Sequence, residues 1–174
     1  MNDVFHEQIV IKKKSTNDKL KQIGLIFLGV IVGLITYFIP VINTMFLLFF
    51  ILAIWGAVYL SRNFNIEYEY AVTNYYLDID KIVAQRKRTR LVSLDIRKID
   101  YFIPFSDSMY KSQENDKSII QTIDCTSNSN NKENVHAIIA NIDGKKSRVL
   151  IEPNKEISDA INKFIQKKSY QVYR

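Results

Sequence analysis

The chain has 174 residues, with 24 Lys and Arg against 18 Asp and Glu and a formal net charge of +6. Because typical domains have about 100 to 150 residues, there is room for one soluble domain, and the positive charge favours anionic lipid or nucleic acid as a partner. One cysteine excludes an intrachain disulfide, and with only two histidines besides no metal or other cofactor is expected.

The N-terminal tail, residues 1–22, contains one short apolar stretch. Residues 8–12 include Ile9, Val10 and Ile11 and precede a basic run. We expect this stretch to add a strand to the soluble domain from the other side of the membrane anchor.

Residues 23–60 contain no charged residue. A single helix needs only about 20 apolar residues to cross a hydrocarbon core of ~30 Å, so the stretch is too long for one crossing. Pro40, with Asn43 and Thr44, forms a polar, helix-breaking cluster in the middle. This pattern predicts a hairpin of two transmembrane helices, residues 23–40 and 41–60. A cleaved signal peptide is disfavoured because the apolar region is too long and a second span follows directly.

Positive residues set the expected orientation of the hairpin, since Lys and Arg near a span are retained in the cytoplasm. The loop between the helices has no charge. Both termini of this multi-pass cell-membrane protein should therefore be cytoplasmic. The flanking positive residues are Lys12, Lys13, Lys14, Lys19, Lys21 and Arg62.

Small residues repeat at four-residue spacing in both spans. Gly29 and Gly33 form a GxxxG pair in the first, and Ala53 and Ala57 a small-xxx-small pair in the second. They indicate either dimerisation into a homo-oligomer or packing of the hairpin against itself. Because no ionisable residue lies in the spans, the hairpin is expected to be an anchor or a packing surface rather than a transporter.

Residues 61–174 show the alternation typical of half-buried strands. Asn74 is expected in a turn, and Asp143 with Gly144 gives the strongest hairpin signal. The pattern predicts a mainly β (α+β) domain with an antiparallel meander of about seven strands. They are 66–72, 77–79, 91–95, 99–103, 119–123, 135–142 and 147–151, with exposed loops at 106–117 and 126–134.

A final helix is predicted to open at Pro153 and Asn154, because Asn is a good helix N-cap. One apolar stripe marks its buried face. The stripe consists of Ile157, Ala160, Ile161, Phe164 and Ile165.

A seven-stranded sheet closed by one C-terminal helix is the order of elements in pleckstrin-homology (PH) folds. The stretch 67–100 also resembles the bacterial PH-like domains that follow a pair of membrane helices, and the chain from the hairpin onward resembles the uncharacterised DUF6106 family. The resemblance implies a non-catalytic, membrane-tethered interaction domain. It is carried by Tyr70, Val72, Thr73, Asn74, Leu77, the run from Arg86 to Arg90, and Ile96 with Ile99.

The candidate binding site is a basic run between two predicted strands: Lys81, Arg86, Lys87, Arg88 and Arg90. In a protein held at an anionic leaflet, each such residue contributes roughly 1 kcal/mol to lipid attraction. The alternative is a solvated hairpin whose charges only satisfy topology. Nucleic acid is not expected, because neither a recognition helix nor stacking aromatic residues accompany the run.

Two further groups of residues are candidates for a catalytic or metal site. Asp78 and Asp80 have DxD spacing, but on an alternating strand they simply share the solvent face. Cys125 and His136 could meet across adjacent strands as nucleophile and base, but no orienting group or oxyanion loop accompanies them. An enzyme is therefore not expected.

The sequence thus predicts a membrane-anchored PH-like scaffold or adaptor that binds a protein partner, in the membrane or the cytoplasm, or anionic inner-leaflet lipid. The alternative function is an accessory subunit of a membrane transport or envelope-enzyme complex. In that case Gly29, Gly33, Ala53 and Ala57 would form the main contact.

Overall fold

The computed structural model describes residues 5–108, 110–111, 116–128 and 132–171, with side chains in the last helix up to residue 165. Two units can be distinguished: Met1–Lys13, Glu67–Ile82 and Lys87–Arg174 form one, and Lys14–Ile66 and Val83–Arg86 form the other. In chain order the elements are β1 (Phe5–Ile11), α1 (Thr16–Ile35), α2 (Phe46–Ser61), β2 (Ile66–Thr73), β3 (Tyr76–Val83), β4 (Lys87–Asp95), β5 (Tyr101–Pro104), β6 (Gln121–Asp124), β7 (His136–Ile142), β8 (Lys145–Ile151) and α3 (Lys155–Gln171).

Helices α1 and α2 pack against each other as the predicted hairpin. Including flanking 3₁₀ turns, Thr16–Phe38 and Asn43–Phe64 are each long and apolar enough to cross a membrane. Helix α1 begins seven residues before the first predicted span, where the Ser15 backbone N–H donates to the Asp18 carboxylate at 3.2 Å. Polar residues therefore extend the helix beyond its apolar part, and the break at Pro40 is confirmed.

The first sheet has the order β1-β2-β3-β4. Strand β1 pairs antiparallel with β2 in one unbroken register, from Phe5 opposite Thr73 to Ile11 opposite Glu67. This confirms the strand predicted before the hairpin, although it begins three residues earlier and ends one residue earlier. Asn74, with φ of 53°, forms the turn after β2 as predicted.

The second sheet has the order β5-β7-β8-β6. Strands β7 and β8 are joined by Asp143 and Gly144, whose φ values of 50° and 78° confirm the predicted tight turn. Strand β6 runs parallel to β8. The predicted single sheet of seven strands is therefore wrong. Among the described residues, eight strands form two four-stranded sheets, neither of them closed, because β1 joins one sheet and β6 crosses to the edge of the other.

The core of the β domain contains apolar residues from both sheets and from α3. Tyr70, Leu77, Ile138 and Val149 are among its fully buried side chains. The predicted helix is confirmed, since the Asn154 side chain accepts from the Ile157 backbone N–H at 2.8 Å. The buried face of α3 comprises Ile157, Ala160, Ile161 and Phe164.

Candidate functional site

The basic run lies on β3, on the turn after it and on β4. Lys81 is on β3, Arg86 ends the turn, and Lys87, Arg88 and Arg90 lie on β4. The members of the run differ in their partners. Among the described residues, Lys81, Arg86 and Lys87 have no carboxylate within ion-pair distance, whereas Arg88 and Arg90 each have two.

Arg88 and Arg90 form an ion-pair network with acidic residues of β2 and β3. Arg88 pairs with Glu69 and, at 3.8 Å, with Asp80. Arg90 pairs with Asp80 at 2.8 Å and with Asp78 at 2.9 Å, and its hydrogen bond to Asp80 raises the pKa of the guanidinium. The Glu69 and Asp80 side chains are only 8% and 7% exposed. Since buried carboxylates require partners, these two arginines neutralise acids of their own domain.

Asp78 and Asp80 were expected to share the solvent-exposed face of their strand, but they are ion-paired. Asp80 is buried, and both carboxylates contact Arg90. In the part of the chain that the structure describes, no group of three or more His, Cys, Asp or Glu residues is arranged to hold a metal ion. The DxD pair serves the ion-pair network.

Arg86 has a different environment. Its guanidinium carbon lies 4.2 Å from the centroid of the Tyr59 ring. Tyr59 in turn stacks on Trp55, one helical turn earlier on α2, with ring centroids 5.6 Å apart. The turn residues Val83–Arg86 belong to the same unit as these aromatic residues. A cation, a phenol ring and an indole ring thus form one column.

The small residues of the hairpin lie where α1 meets α2. A Cβ atom added to Gly29 would lie 2.5 Å from the Cβ of Ala57 and 3.1 Å from the carbonyl oxygen of Ala53, and one added to Gly33 would lie 2.7 Å from the Phe50 ring. These glycines therefore allow close approach within the hairpin.

A groove of about 270 Å³ lies beside that contact. Leu25 and Leu28 of α1 and Leu52 and Leu60 of α2 line it, together with Gly56. A Cβ atom added to Gly56 would meet nothing within 4 Å. Sequence inspection missed Gly56, because it falls outside the four-residue spacing of the other small residues.

Cys125 and His136 do not form a nucleophile–base pair. Strand β8 lies between them, since the backbone N–H of Cys125 donates to Leu150 and His136 lies opposite Ile151. Burial raises the pKa of the Cys125 thiol to about 12, and His136 stacks on Phe102. Cys125 instead takes part in a buried hydrogen bond, in which the Tyr70 hydroxyl donates to the Cys125 carbonyl oxygen at 2.7 Å; we call this contact the buried link.

The outer face of β1 is a surface that was not predicted. Phe5, Ile9 and Ile11 are 61%, 54% and 67% exposed. Their cross-strand neighbours on β2 are Thr73, Glu69 and Glu67. We call these three side chains the β1 row. Because they lack apolar partners across the sheet, the β1 row presents its apolar surface outward.

Comparison with known protein families agrees with this architecture. The chain matches the family described as "Bacterial PH-like domain (DUF6106)" over residues 2–171. It belongs to that family, as the motif around Tyr70 and Asn74 indicated. Searches of curated proteins and of solved structures found no match.

Proposed function

We propose that this chain is a non-enzymatic, membrane-anchored scaffold or adaptor whose helical hairpin holds the PH-like domain at the inner face of the cell membrane. The observation that carries the proposal is the pairing of β1, which precedes the hairpin, with β2, which follows it. Four residues join β1 to α1, and four join α2 to β2. Both ends of the hairpin therefore lead through short linkers into one sheet.

The charge distribution supports an inner-face location with both termini cytoplasmic. Positive residues lie near the N-terminal end of α1 and after the C-terminal end of α2, whereas residues 36–45 between the helices contain none. Positive residues next to short loops are retained in the cytoplasm. Reversed insertion would require translocating Lys12, Lys13, Lys14 and the whole basic domain.

The ligand that we propose for the adaptor is a protein that packs on the β1 row. Exposed apolar side chains in a contiguous set are a common feature of protein interaction sites. An edge strand is also a common place for a partner to add. Ile9 and Ile11 are neighbours on one face of an edge strand that leads directly into the hairpin, and Phe5 follows on the same face beyond Glu7.

The experiment compares full-length variants purified from membranes under mild conditions. Replacing Ile9 and Ile11 with Thr keeps β-branching while removing apolar surface, and should release a co-purifying partner without loss of the protein from the membrane. Ile120→Thr is the matched control, because Ile120 is 70% exposed but lies outside the β1 row. Equal recovery of partners with all variants would contradict the proposed contact.

An accessory subunit of a membrane transport or envelope-enzyme complex is the second candidate function. The groove at Gly56 favours it, since a helix of another membrane protein can approach closely at a small residue. A complex that survives the Ile9 and Ile11 replacements but is lost when Gly56 is replaced by Leu would favour the subunit over the adaptor.

A further inference from the structure

We propose that Arg86 and Tyr59 form a binding site for the phosphodiester group of an anionic phospholipid in the inner leaflet. The site rests on the inner-face location proposed above, but it does not depend on the β1 row or on a protein partner.

The platform consists of Trp55 and Tyr59, near the C-terminal end of α2. Their rings are stacked with an interplanar angle of 23°, and the residues are 64% and 44% exposed. Trp and Tyr accumulate at the level of the lipid headgroups, where an amphipathic ring meets both phases. This pair, within two turns of the positive end of the span at Arg62, is therefore at the depth of the phosphate groups.

The cation is Arg86, whose guanidinium carbon lies over the Tyr59 ring of this platform. A guanidinium that stacks through its flat face keeps its N–H edges available, and their fork geometry matches two oxygens of a phosphate. Arg88, Arg90 and Arg97 direct those edges at carboxylates. Arg86 has no carboxylate partner among the residues that the structure describes, so its donors are available to an external anion.

The turn that presents Arg86 is held in an unfavourable conformation. The backbone N–H of Arg86 donates to the carbonyl oxygen of Val83 at 3.1 Å. The two residues between them, Ala84 and Gln85, have φ values of 54° and 56°. Residues other than Gly adopt this left-handed region less readily. The Ala84 N–H also donates to the Asn65 carbonyl at 2.8 Å, which ties the turn to the segment after α2. Positive φ at both central residues is the geometry of a tight two-residue hairpin, as in the Asp143–Gly144 turn, so the turn fixes the backbone position of Arg86.

A phospholipid fits this site better than a soluble phosphate. The column of Arg86, Tyr59 and Trp55 runs from a cation to an indole ring on a helix apolar enough to cross a membrane. A phospholipid has the same order, with phosphate at one end and acyl chains at the other. A soluble anion would contact only the first member of the column.

The test uses the fluorescence of Trp55, the only tryptophan of the chain. The full-length protein is reconstituted in phosphatidylcholine bilayers containing bromine-labelled phosphatidylglycerol or, in parallel, bromine-labelled phosphatidylcholine. Because one interfacial Arg contributes roughly 1 kcal/mol, phosphatidylglycerol should bind about fivefold more strongly and quench Trp55 at a lower mole fraction. Arg86→Gln should abolish that preference.

Two variants and one competitor make the result decisive. Lys87→Gln removes the same charge from the adjacent exposed residue and should keep the preference, whereas Tyr59→Leu removes the platform and should reduce it. Equal quenching by both lipids in the wild type, or an equal loss with Lys87→Gln and Arg86→Gln, would overturn the site. Competition by inorganic phosphate at constant ionic strength would overturn its assignment to lipid. Failure of the partner experiment at Ile9 and Ile11 would leave this result unchanged.

Discussion

At the scale of single residues, Tyr70 joins three segments of the PH-like domain. It is fully buried, donates to Cys125 and accepts from the backbone N–H of Glu152 at 3.2 Å. Tyr70→Phe would leave both backbone groups without this partner, at a cost of about 1–3 kcal/mol. We therefore expect Cys125 to react with thiol reagents faster in the variant than in the wild type. Tyr76→Phe, at a residue that is 52% exposed, should not change the rate, and an unchanged rate in Tyr70→Phe would contradict the buried link.

Alkaline pH should weaken the domain through the Cys125 thiol. In the unfolded chain this group ionises near its ordinary value of 9.0, whereas in the folded domain burial raises its pKa to about 12. The folded state therefore binds more protons, and its stability falls as the pH rises from 9 towards 12. At pH 10.5 the loss due to this group is about 2 kcal/mol.

Thermal unfolding of the detergent-solubilised protein at pH 7 and pH 10.5 measures this loss, with Cys125→Ala as the control. The decrease in melting temperature should be smaller in the variant. The same decrease in both proteins would show that the thiol does not contribute.

Side-chain partners were harder to predict than strands. Asp78 and Asp80 on one strand and Arg88 and Arg90 on the next have opposite charges at the spacing of a hairpin, so their pairing could have been inferred from the sequence. Glu69 could not be added to that network without knowing that β2 lies beside β3. The contact of Arg86 with Tyr59 joins residues 27 positions apart in different elements, and no periodicity predicts it.

At the scale of the elements, the glycines of the helical hairpin differ in how much space surrounds them. Gly29→Ala brings a methyl group to 2.5 Å from the Cβ of Ala57, whereas Gly56→Ala meets nothing within 4 Å. We expect the first change to push α1 and α2 apart and lower the melting temperature of the hairpin, and the second to leave it nearly unchanged. Far-UV circular dichroism during heating in detergent measures both, and equal melting temperatures would contradict this packing.

The sequence was most informative for features that a single helix or turn determines by itself. The apolar length of residues 23–60, the Asp143–Gly144 turn and the stripe from Ile157 to Ile165 each predicted a confirmed element, because local periodicity and turn chemistry determine them. Which strands pair is a property of the whole sheet. The parallel pairing of β6 with β8 was therefore not predicted.

At the scale of the whole molecule, β1 and β2 connect the hairpin to the domain. A fragment of residues 65–174 lacks β1, which leaves one edge of β2 unpaired and removes Val10, a core residue that is only 7% exposed. Because Ile11 lies opposite Glu67, an Asn-Gly turn can replace residues 12–66 and close β1 onto β2. We expect this shortened chain to be soluble and to unfold cooperatively.

The comparison of these two soluble proteins tests whether β1 is part of the domain. Cys125 should be protected from thiol reagents in the shortened chain and reactive in the fragment of residues 65–174. Equal protection in both would show that the strand is dispensable for folding.

Labelling of single cysteines in intact cells decides whether the hairpin holds the PH-like domain at the inner face of the membrane. Cys125 is fully buried and adds little background. A cysteine at Val41, which is 89% exposed between the two helices, should react with a membrane-impermeant maleimide from outside. A cysteine at Lys145, on the surface of the domain, should react only after the cells are permeabilised. Labelling of Lys145→Cys in intact cells, with Val41→Cys protected, would contradict the account.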